Sequence, residues 1–436
     1  MVSKAQVDSS DGAERATRGP AADSEDAVVD VVGVGAAGLG SLGPDGLQLV
    51  DRAAVVVGGE RHLSMLTSRP GRRLVPWPSP LLPQLRALFD EVGPGRVVVL
   101  ASGDPLVSGV GATLIRELGP DQVRIHPAVS SVSLARARMG WSAEESDVVT
   151  LVGRDVDRLR RDLAPRARIV VLTSGEDAPA RVAALLVEEG YADSRLTVLG
   201  DLGAPSESRT DAVAGSWGAH PVPRLHLVCI ECQERPSRSA RSLVPGLRDT
   251  AYDNDGQLTK RVVRAAALAH LAPQPGDVVW DLGAGAGSVG IEVARQHPRN
   301  EVHSVERDPV RVDRIRRNAK ALGVPGLRVV EASSLEAVSS LPRPDAVFVG
   351  GGASAALLDA CWEALAPGGR LVVHGVTVET ELLLHEVRAR LGGSMSRIAV
   401  EDLDTIGSLH GWKPARSIVQ WSVEKLVQQT DSETLL

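Results

Sequence analysis

Short runs of valine, isoleucine and leucine alternate with alanine-, leucine- and arginine-rich stretches of helical period from about residue 27 to residue 427. A short, almost wholly apolar run suits a strand covered on both faces, and the intervening helices supply the cover. The pattern therefore predicts parallel sheets clothed in helices, the α/β class. In the first half, VVDVVGVG, AAVVVGG, RVVVLASGDP and QVRIHP read as the strands of one lobe. DVVTLVGR, RIVVLTSG, RLTVLGDLG and RLHLVCIEC read as the strands of a second. The second half runs strand DVVWDL, helix SVGIEVARQ, strand EVHSVE, helix DPVRVDRIRRNAKAL, strands LRVVEA and DAVFVGG, helix SAALLDACWEAL and strand RLVVHGV. Between the halves, QERPSRSARSLVPG replaces the apolar period with Pro, Ser and Arg. The expected division is a bilobal domain over residues 26–232, a linker over 233–246 and a Rossmann-like domain over 247–427. Residues 1–25 are charged and lack the apolar core of a secretory signal, so they are expected to be a disordered tail in a cytoplasmic protein, with a second tail at 428–436.

Composition narrows the partners. The 436 residues are 43% hydrophobic and 24% charged, which is globular, and no apolar run reaches the roughly 20 residues of a membrane helix. A formal charge of −7, with only seven Trp, two Tyr and two Phe, offers neither a basic footprint nor a base-stacking surface. A small molecule is expected as substrate, with no nucleic acid and no membrane partner. Lysine occurs only at Lys4, Lys260, Lys320, Lys413 and Lys425; every other cation is arginine. Arginine forks suit a ligand with many carboxylates, although a GC-rich genome produces the same bias. Three cysteines (Cys229, Cys232, Cys361) argue against a disulfide framework, and the lone Cys229-x-x-Cys232 pair reads as buried rather than metal-binding. No histidines form a close ligand pair, and no GxSxG elbow supports hydrolysis.

The strongest chemical signal is Asp281-Leu282-Gly283-Ala284-Gly285-Ala286-Gly287, at the end of an apolar strand and before a helical stretch. Glycines let the backbone turn tightly and approach a ligand, and the helix start offers free N–H groups. Glu306 ends the next strand 23 residues after Gly283, close to the spacing of roughly 20 at which an acid grips ribose hydroxyls. Gly285-x-Gly287-x-x-Gly290 also satisfies the dinucleotide fingerprint, which keeps an oxidoreductase open. Asp281 at the strand end would repel a pyrophosphate and favour the sulfonium and ammonium of S-adenosyl-L-methionine. In the first half, Gly33-x-Gly35-x-x-Gly38 matches the same fingerprint weakly, and Ala101-Ser102-Gly103-Asp104-Pro105 closes a strand with a loop whose main chain a ligand can reach.

These segments carry two resemblances. GLRD, DGQLTKR, WDLGAGAGSVGIE, VERDP, PDAVFVGGG, APGGRLVVHGVTVETE and GWKPARS resemble the precorrin-6B C15-methyltransferase (decarboxylating) family of cobalamin biosynthesis, over nearly all of 246–427. VGVG, VVVGGERHL, ASGDPLVSGVGATL, HPAVSSVSLARARMGW and VLTSGEDAPARVAALL resemble the tetrapyrrole methylases, in their precorrin C5-methyltransferase branch, over about 28–232. Together they resemble a fused, bifunctional methyltransferase of the precorrin-6Y C5,15 (decarboxylating) type. The implied fold is a bilobal tetrapyrrole-methylase domain followed by a class I S-adenosylmethionine methyltransferase domain. The implied activity is methylation of a reduced tetrapyrrole at C5 and C15 with loss of carbon dioxide from the C12 acetate. Two donor pockets follow from the resemblance. Gly103, Asp104, Pro105, Ser130, Ser131 and Thr173 line the first; Thr259, Gly283, Ala284, Gly285, Ala286, Gly287, Glu306, Ser333 and Ser334 line the second. Lys260 and His374 are expected near the decarboxylation, Arg61 and His62 at substrate carboxylates, and a homo-oligomer is expected. Two departures stand out: Ala332-Ser333-Ser334-Leu335 where the family has Gly-x-Ala-Pro, and Ser108 where it often has an aromatic. An RNA methyltransferase and a dinucleotide-dependent oxidoreductase are the competing readings.

Overall fold

In the computed structural model, which describes residues 29–93, 96–233 and 242–426, all six residues of β1 (Val29–Val34) are buried. Strand alternation sends Val29 and Val31 to one face, against Val57, Leu85 and Val99, and Val32 and Val34 to the other, against Val56, Val98 and Leu100. Such two-sided burial explains the unbroken apolar run. The expected tails, and the linker from 234 to 241, lie outside the described residues. The described chain falls into two units, residues 29–134 with 203–205 and residues 135–202 with 206–426.

In the first unit β1 joins β2 (Val55–Gly58), β3 (Arg73–Pro76), β4 (Val97–Ser102) and β5 (Val123–His126). The sheet order is β3-β2-β4-β1-β5, parallel throughout.

The second unit holds two sheets. One contains β6 (Asp147–Thr150), β7 (Arg168–Leu172), β8 (Arg195–Gly200), β9 (Ser208–Val213) and β10 (His226–Glu231), in the order β6-β7-β10-β8-β9. Only β6 and β7 run parallel in it. The other is built from β11 (Val278–Leu282), β12 (Glu301–Glu306), β13 (Arg328–Glu331), β14 (Ala346–Val349), β15 (Arg370–Gly375) and β16 (Ser394–Ile398). A hairpin of β17 (Glu401–Ile406) and β18 (Leu409–Pro414) follows, and β19 (Ile418–Glu424) completes the sheet. Its order is β13-β12-β11-β14-β15-β19-β16, with the first five strands parallel. The chain runs from β11 outward to β12 and β13 and then crosses to β14 and β15 on the other side, and the crevice at such a switch point is where open α/β sheets take ligands. The apolar pattern did not predict β3, β9 or β16 to β19. In β19 (IVQWSVE) the run is broken by Gln420 and Ser422, although Val419, Gln420 and Trp421 are buried.

Within the second unit the two sheets are tied by side chains. Arg161 Nε donates to the Arg295 carbonyl at 2.7 Å and Nη2 to that of Gln296 at 3.2 Å. Lys320 Nζ lies 3.3 Å from Asp157 Oδ2, and Asp157 also accepts from buried Arg160 at 2.6 Å. At the end of the helix Pro309–Ala321, Gly323 has φ +81°, and a Cβ there would stand 2.4 Å from the Arg161 backbone nitrogen. Gly323→Ala is therefore expected to lower the unfolding free energy by about 2–4 kcal/mol, the left-handed strain plus overpacking against main chain. Gly140→Ala, at φ +68° just beyond the helix Ser131–Met139 and with nothing within 4 Å, meets the strain alone. Urea unfolding of both variants checks this; equal losses would contradict the close approach.

Candidate functional site

The glycine loop after β11 is shaped by close approaches. Gly283, Gly285 and Gly287 have φ of +69°, +60° and +76°. A Cβ on Gly283 would lie 2.7 Å from the Gly351 carbonyl oxygen, and one on Gly287 would lie 2.8 Å from Ile315. The Gly283 and Ala284 N–H groups both donate to the Val305 carbonyl at 3.0 Å, fastening the loop to β12. Gly287 caps the helix Ser288–Gln296. Ala286, by contrast, is buried in the packing against Leu247, Tyr252 and Leu258.

Glu306 organises this loop. Its Oε2 accepts the Gly285 N–H at 2.9 Å, and its Oε1 accepts those of Arg307 and Asp308 at 3.0 and 3.1 Å. Ala332 N donates to the Glu306 carbonyl at 3.2 Å, which brings Ser333 and Ser334 to the same sheet end. Ser333 donates its hydroxyl to Glu336 at 2.6 Å. Asp281 differs from the expectation that it faces a ligand. It is 1% exposed, accepts the Gly290 N–H at 2.9 Å, and is pushed up to about 7, chiefly by burial and then by the Glu306 charge. Its role in the fold is to hold the helix start, and the acidity that bonds the loop comes from Glu306, itself only 6% exposed.

A strap over residues 246–260 covers the loop, and residues that sequence reasoning missed hold it. Arg264, with no exposed surface, donates Nε to Glu292 Oε1 at 2.5 Å and also bonds the Leu247 and Thr259 carbonyls. Glu292 accepts from the N–H groups of Gly246 (2.6 Å) and Leu247 (3.1 Å) and from the Tyr252 hydroxyl (3.0 Å). Asn318 bonds Asp253 through both N–H and carbonyl, and donates to the Ala286 carbonyl at 3.0 Å. The Gln257 carbonyl is left 3.1 Å from where a Gly285 Cβ would be. Thr259 is half-buried on this strap and Lys260 is exposed beside it, 3.9 Å from Asp249. No local pattern reveals Asn318 or Glu292, because their partners are distant in sequence. His374 lies on β15, buried, with Nε2 2.9 Å from Gln420 Oε1 and its ring edge-on to Phe348 at 4.9 Å. Burial lowers it to about 4, so it is neutral near pH 7.

The first unit carries a second loop. Gly103 (φ +58°) follows β4 and donates its N–H to the Val34 carbonyl at 2.8 Å. Asp104 Oδ1 accepts the Leu106 N–H at 2.8 Å, and a Cβ on Gly33 would stand 2.3 Å from the Gly103 carbonyl oxygen. Cβ atoms on Gly109 and Gly111 would meet the carbonyl of buried Pro105 at 2.6 and 2.8 Å. Ser108, where the family often has an aromatic, has φ +54°. Ser130 and Ser131 adjoin Gly103, and the Ser130 hydroxyl accepts the Ser133 N–H at 3.1 Å. Beside the loop, Arg61 Nη2 donates to His62 Nε2 at 2.8 Å and to the Ser102 hydroxyl at 3.0 Å. Burial and then Arg61 lower His62 to about 4, consistent with a neutral ring accepting from the guanidinium. Thr173 belongs to the second unit, where its hydroxyl donates to the His226 carbonyl at 3.3 Å. Cys229, Cys232 and Cys361 are free and buried, their thiols pushed up to about 12 by burial.

Two glycine loops at the ends of two α/β sheets define a two-domain methyltransferase, and comparison with known proteins agrees. The Tetrapyrrole (Corrin/Porphyrin) Methylases family matches residues 28–216, and the Precorrin methyltransferase domain family matches 250–425. A Sinorhizobium precorrin-6Y C(5,15)-methyltransferase [decarboxylating] is 42% identical over 92% of this chain and 98% of its own length. The protein of the same name from Mycobacterium tuberculosis (strain ATCC 25618 / H37Rv) is 37% identical over 91% of this chain and 100% of its own. A cobalt-precorrin-7 C(5)-methyltransferase of Salmonella typhimurium is 33% identical over 40% of this chain and 84% of its own. The chain belongs to the precorrin-6Y C(5,15)-methyltransferase (decarboxylating) family. Neither the oxidoreductase nor the RNA-methyltransferase reading accounts for matches over both halves.

Asp281 gives a pH test. Its folded value of about 7 stands above the ordinary 3.8, so its stabilising protonated form is complete below about pH 4 and lost as pH rises through about 7. Asp281→Asn, neutral throughout, is expected to gain on the native chain by roughly 2–4 kcal/mol across that window, read by urea unfolding. A pH-independent difference would contradict a protonated buried acid.

Proposed function

We propose that this chain methylates a reduced precorrin at C5 and C15 and removes the C12 acetate carboxyl as carbon dioxide, with S-adenosyl-L-methionine as donor at two sites. The tetrapyrrole-methylase half over 26–232 carries C5 methylation. The half over 247–427, beyond the linker 233–246, carries C15 methylation and decarboxylation. The observation that carries the reading is one glycine loop in each unit, with glycine where a Cβ would collide with main chain: Gly283 in one, and Gly33, Gly109 and Gly111 in the other. The residues fit the donor. In the second site the loop from Gly283 to Gly287 leaves an open rim, and Glu306 retains acceptor capacity beyond its three N–H bonds for ribose hydroxyls. Thr259 on the strap, with Ser333 and Ser334, closes that pocket; Gly103, Asp104, Pro105, Ser130 and Ser131 of the first unit form the other.

Bound S-adenosylmethionine supplies an electrophilic methyl group. An electron-rich ring carbon of the macrocycle needs little base catalysis, so the chain's work is to align carbon and methyl and to exclude water. The buried Arg264–Glu292 pair serves this by fixing the strap. On decarboxylation the acetate C–C bond breaks, carbon dioxide leaves and the electron pair passes into the conjugated ring, which then takes a proton. Exposed Lys260 suits contact with the acetate, and His374, engaged with Gln420, suits a positioning role. Arg61 and neutral His62 suit substrate carboxylates beside the first loop. Buried free cysteines support a cytoplasmic setting, and among the described residues no helix is long and apolar enough to cross a membrane. The net charge of −7 supports a small-molecule ligand over nucleic acid. Exposed Leu403, Ile406, Leu409 and Trp412 on the hairpin support a homo-oligomer.

Mass spectrometry of the product from a reduced precorrin substrate tests the reading. Glu306→Gln is expected to weaken donor binding in the second half at least tenfold, which takes about 1.4 kcal/mol, and to leave a product without the C15 methyl and with its acetate intact. Gly103→Val, forced to positive φ, is expected to leave a decarboxylated product without the C5 methyl. Loss of both methylations in either folded variant would contradict separate sites.

A further inference from the structure

Within the second unit, a cavity of about 470 Å³ opens between β6 with the turn at 156–161 and the start of β12 with the turn at 323–328. It lies at the N-terminal edge of the larger sheet, opposite the strand ends that bear the glycine loop. Five arginines line it (Arg154, Arg158, Arg161, Arg299 and Arg328) against two acids, Asp162 and Glu301, in a chain whose net charge is −7. Two of these cations are spent. Arg161 bonds Asp162 and two main-chain carbonyls, and Arg328 pairs with Glu301 at 2.8 Å. Arg154, Arg158 and Arg299 have no side-chain hydrogen bond or ion pair among the described residues. Burial and the charges of Arg154 and Arg161 hold Arg158 below the ordinary arginine value even though the Asp162 charge acts the other way, so an added anion there relieves repulsion.

The remaining wall is apolar, with Val148, Val149, Val302, Val324 and Leu327. Several separated cations around an apolar wall match a flat ring that carries carboxylates on its rim, whereas a single phosphate needs one focus of donors. A volume at the small end of typical ligand sites takes one edge of such a ring. We infer that this cavity is a second, non-catalytic binding site for the carboxylate-bearing edge of a tetrapyrrole, outside both methyl-donor sites. The identity of the ligand rests on the proposed function; the anion site itself rests on the cavity and its three unpaired arginines.

The test titrates uroporphyrin, a fluorescent polycarboxylate porphyrin, into the full chain and into the R154Q/R158Q/R299Q variant at low and high salt. The native chain is expected to show a salt-sensitive binding component that weakens at least tenfold in the variant, while both proteins keep the thermal shift given by S-adenosylmethionine. Identical uroporphyrin isotherms for the two proteins would overturn the inference. Arginine-dependent binding of inorganic pyrophosphate without that of uroporphyrin would overturn it too, by making the site one for phosphates. Methylation of a reduced precorrin, measured on the native chain alongside, is a separate readout: its absence with arginine-dependent uroporphyrin binding intact would fail the proposed function and leave the anion site standing.

Discussion

The larger sheet's site depends on one buried ion pair. Glu292, on the helix that the glycine loop starts, accepts from Arg264, Tyr252 and the first N–H groups of the strap. Arg264 in turn returns to the strap at the Leu247 and Thr259 carbonyls and lies 4.8 Å over the Tyr252 ring. Neither charge is exposed, so each is tolerable only while the other is present; breaking such a pair costs about 3–5 kcal/mol. The pair thus makes the covering strap and the loop beneath it a single object. A site that must align a methyl group within a fraction of an ångström gains more from this rigidity than from any general base.

The two loops reach the same end by different routes. After β11, positive φ at three glycines and the crowding of Gly351 and Ile315 leave no space for a Cβ. After β4, it is the neighbours that are crowded: Gly33, Gly109 and Gly111 give way to the carbonyls of Gly103 and Pro105. In both cases close packing of main chain against main chain forces glycine, and the same packing leaves backbone groups open to a ligand.

Much of this was legible in the sequence because it is local. Two-sided burial writes itself as unbroken valine runs, so the inner strands of the parallel sheets stood out while the partly exposed edge strand β3 did not, and glycine spacing marked both loops. What escaped depends on distant partners. Strand β19 hides because Gln420 interrupts it, and Gln420 is buried only because His374 on β15 receives it. Asp281 read as a ligand-facing acid because strand-end position says nothing of which way a carboxyl turns; in the fold it turns to Gly290. Asn318 and Glu292 lie on helices whose sequences give no hint of the loop segments they hold. The arginine-rich composition was ambiguous on its own, and only the fold shows which arginines lack partners.

Under the proposed function each loop holds its own methyl donor. Isothermal titration calorimetry of the full chain with S-adenosylmethionine tests it most directly. Separate sites give a stoichiometry of two donors per chain; a single donor per folded chain at saturation would contradict them.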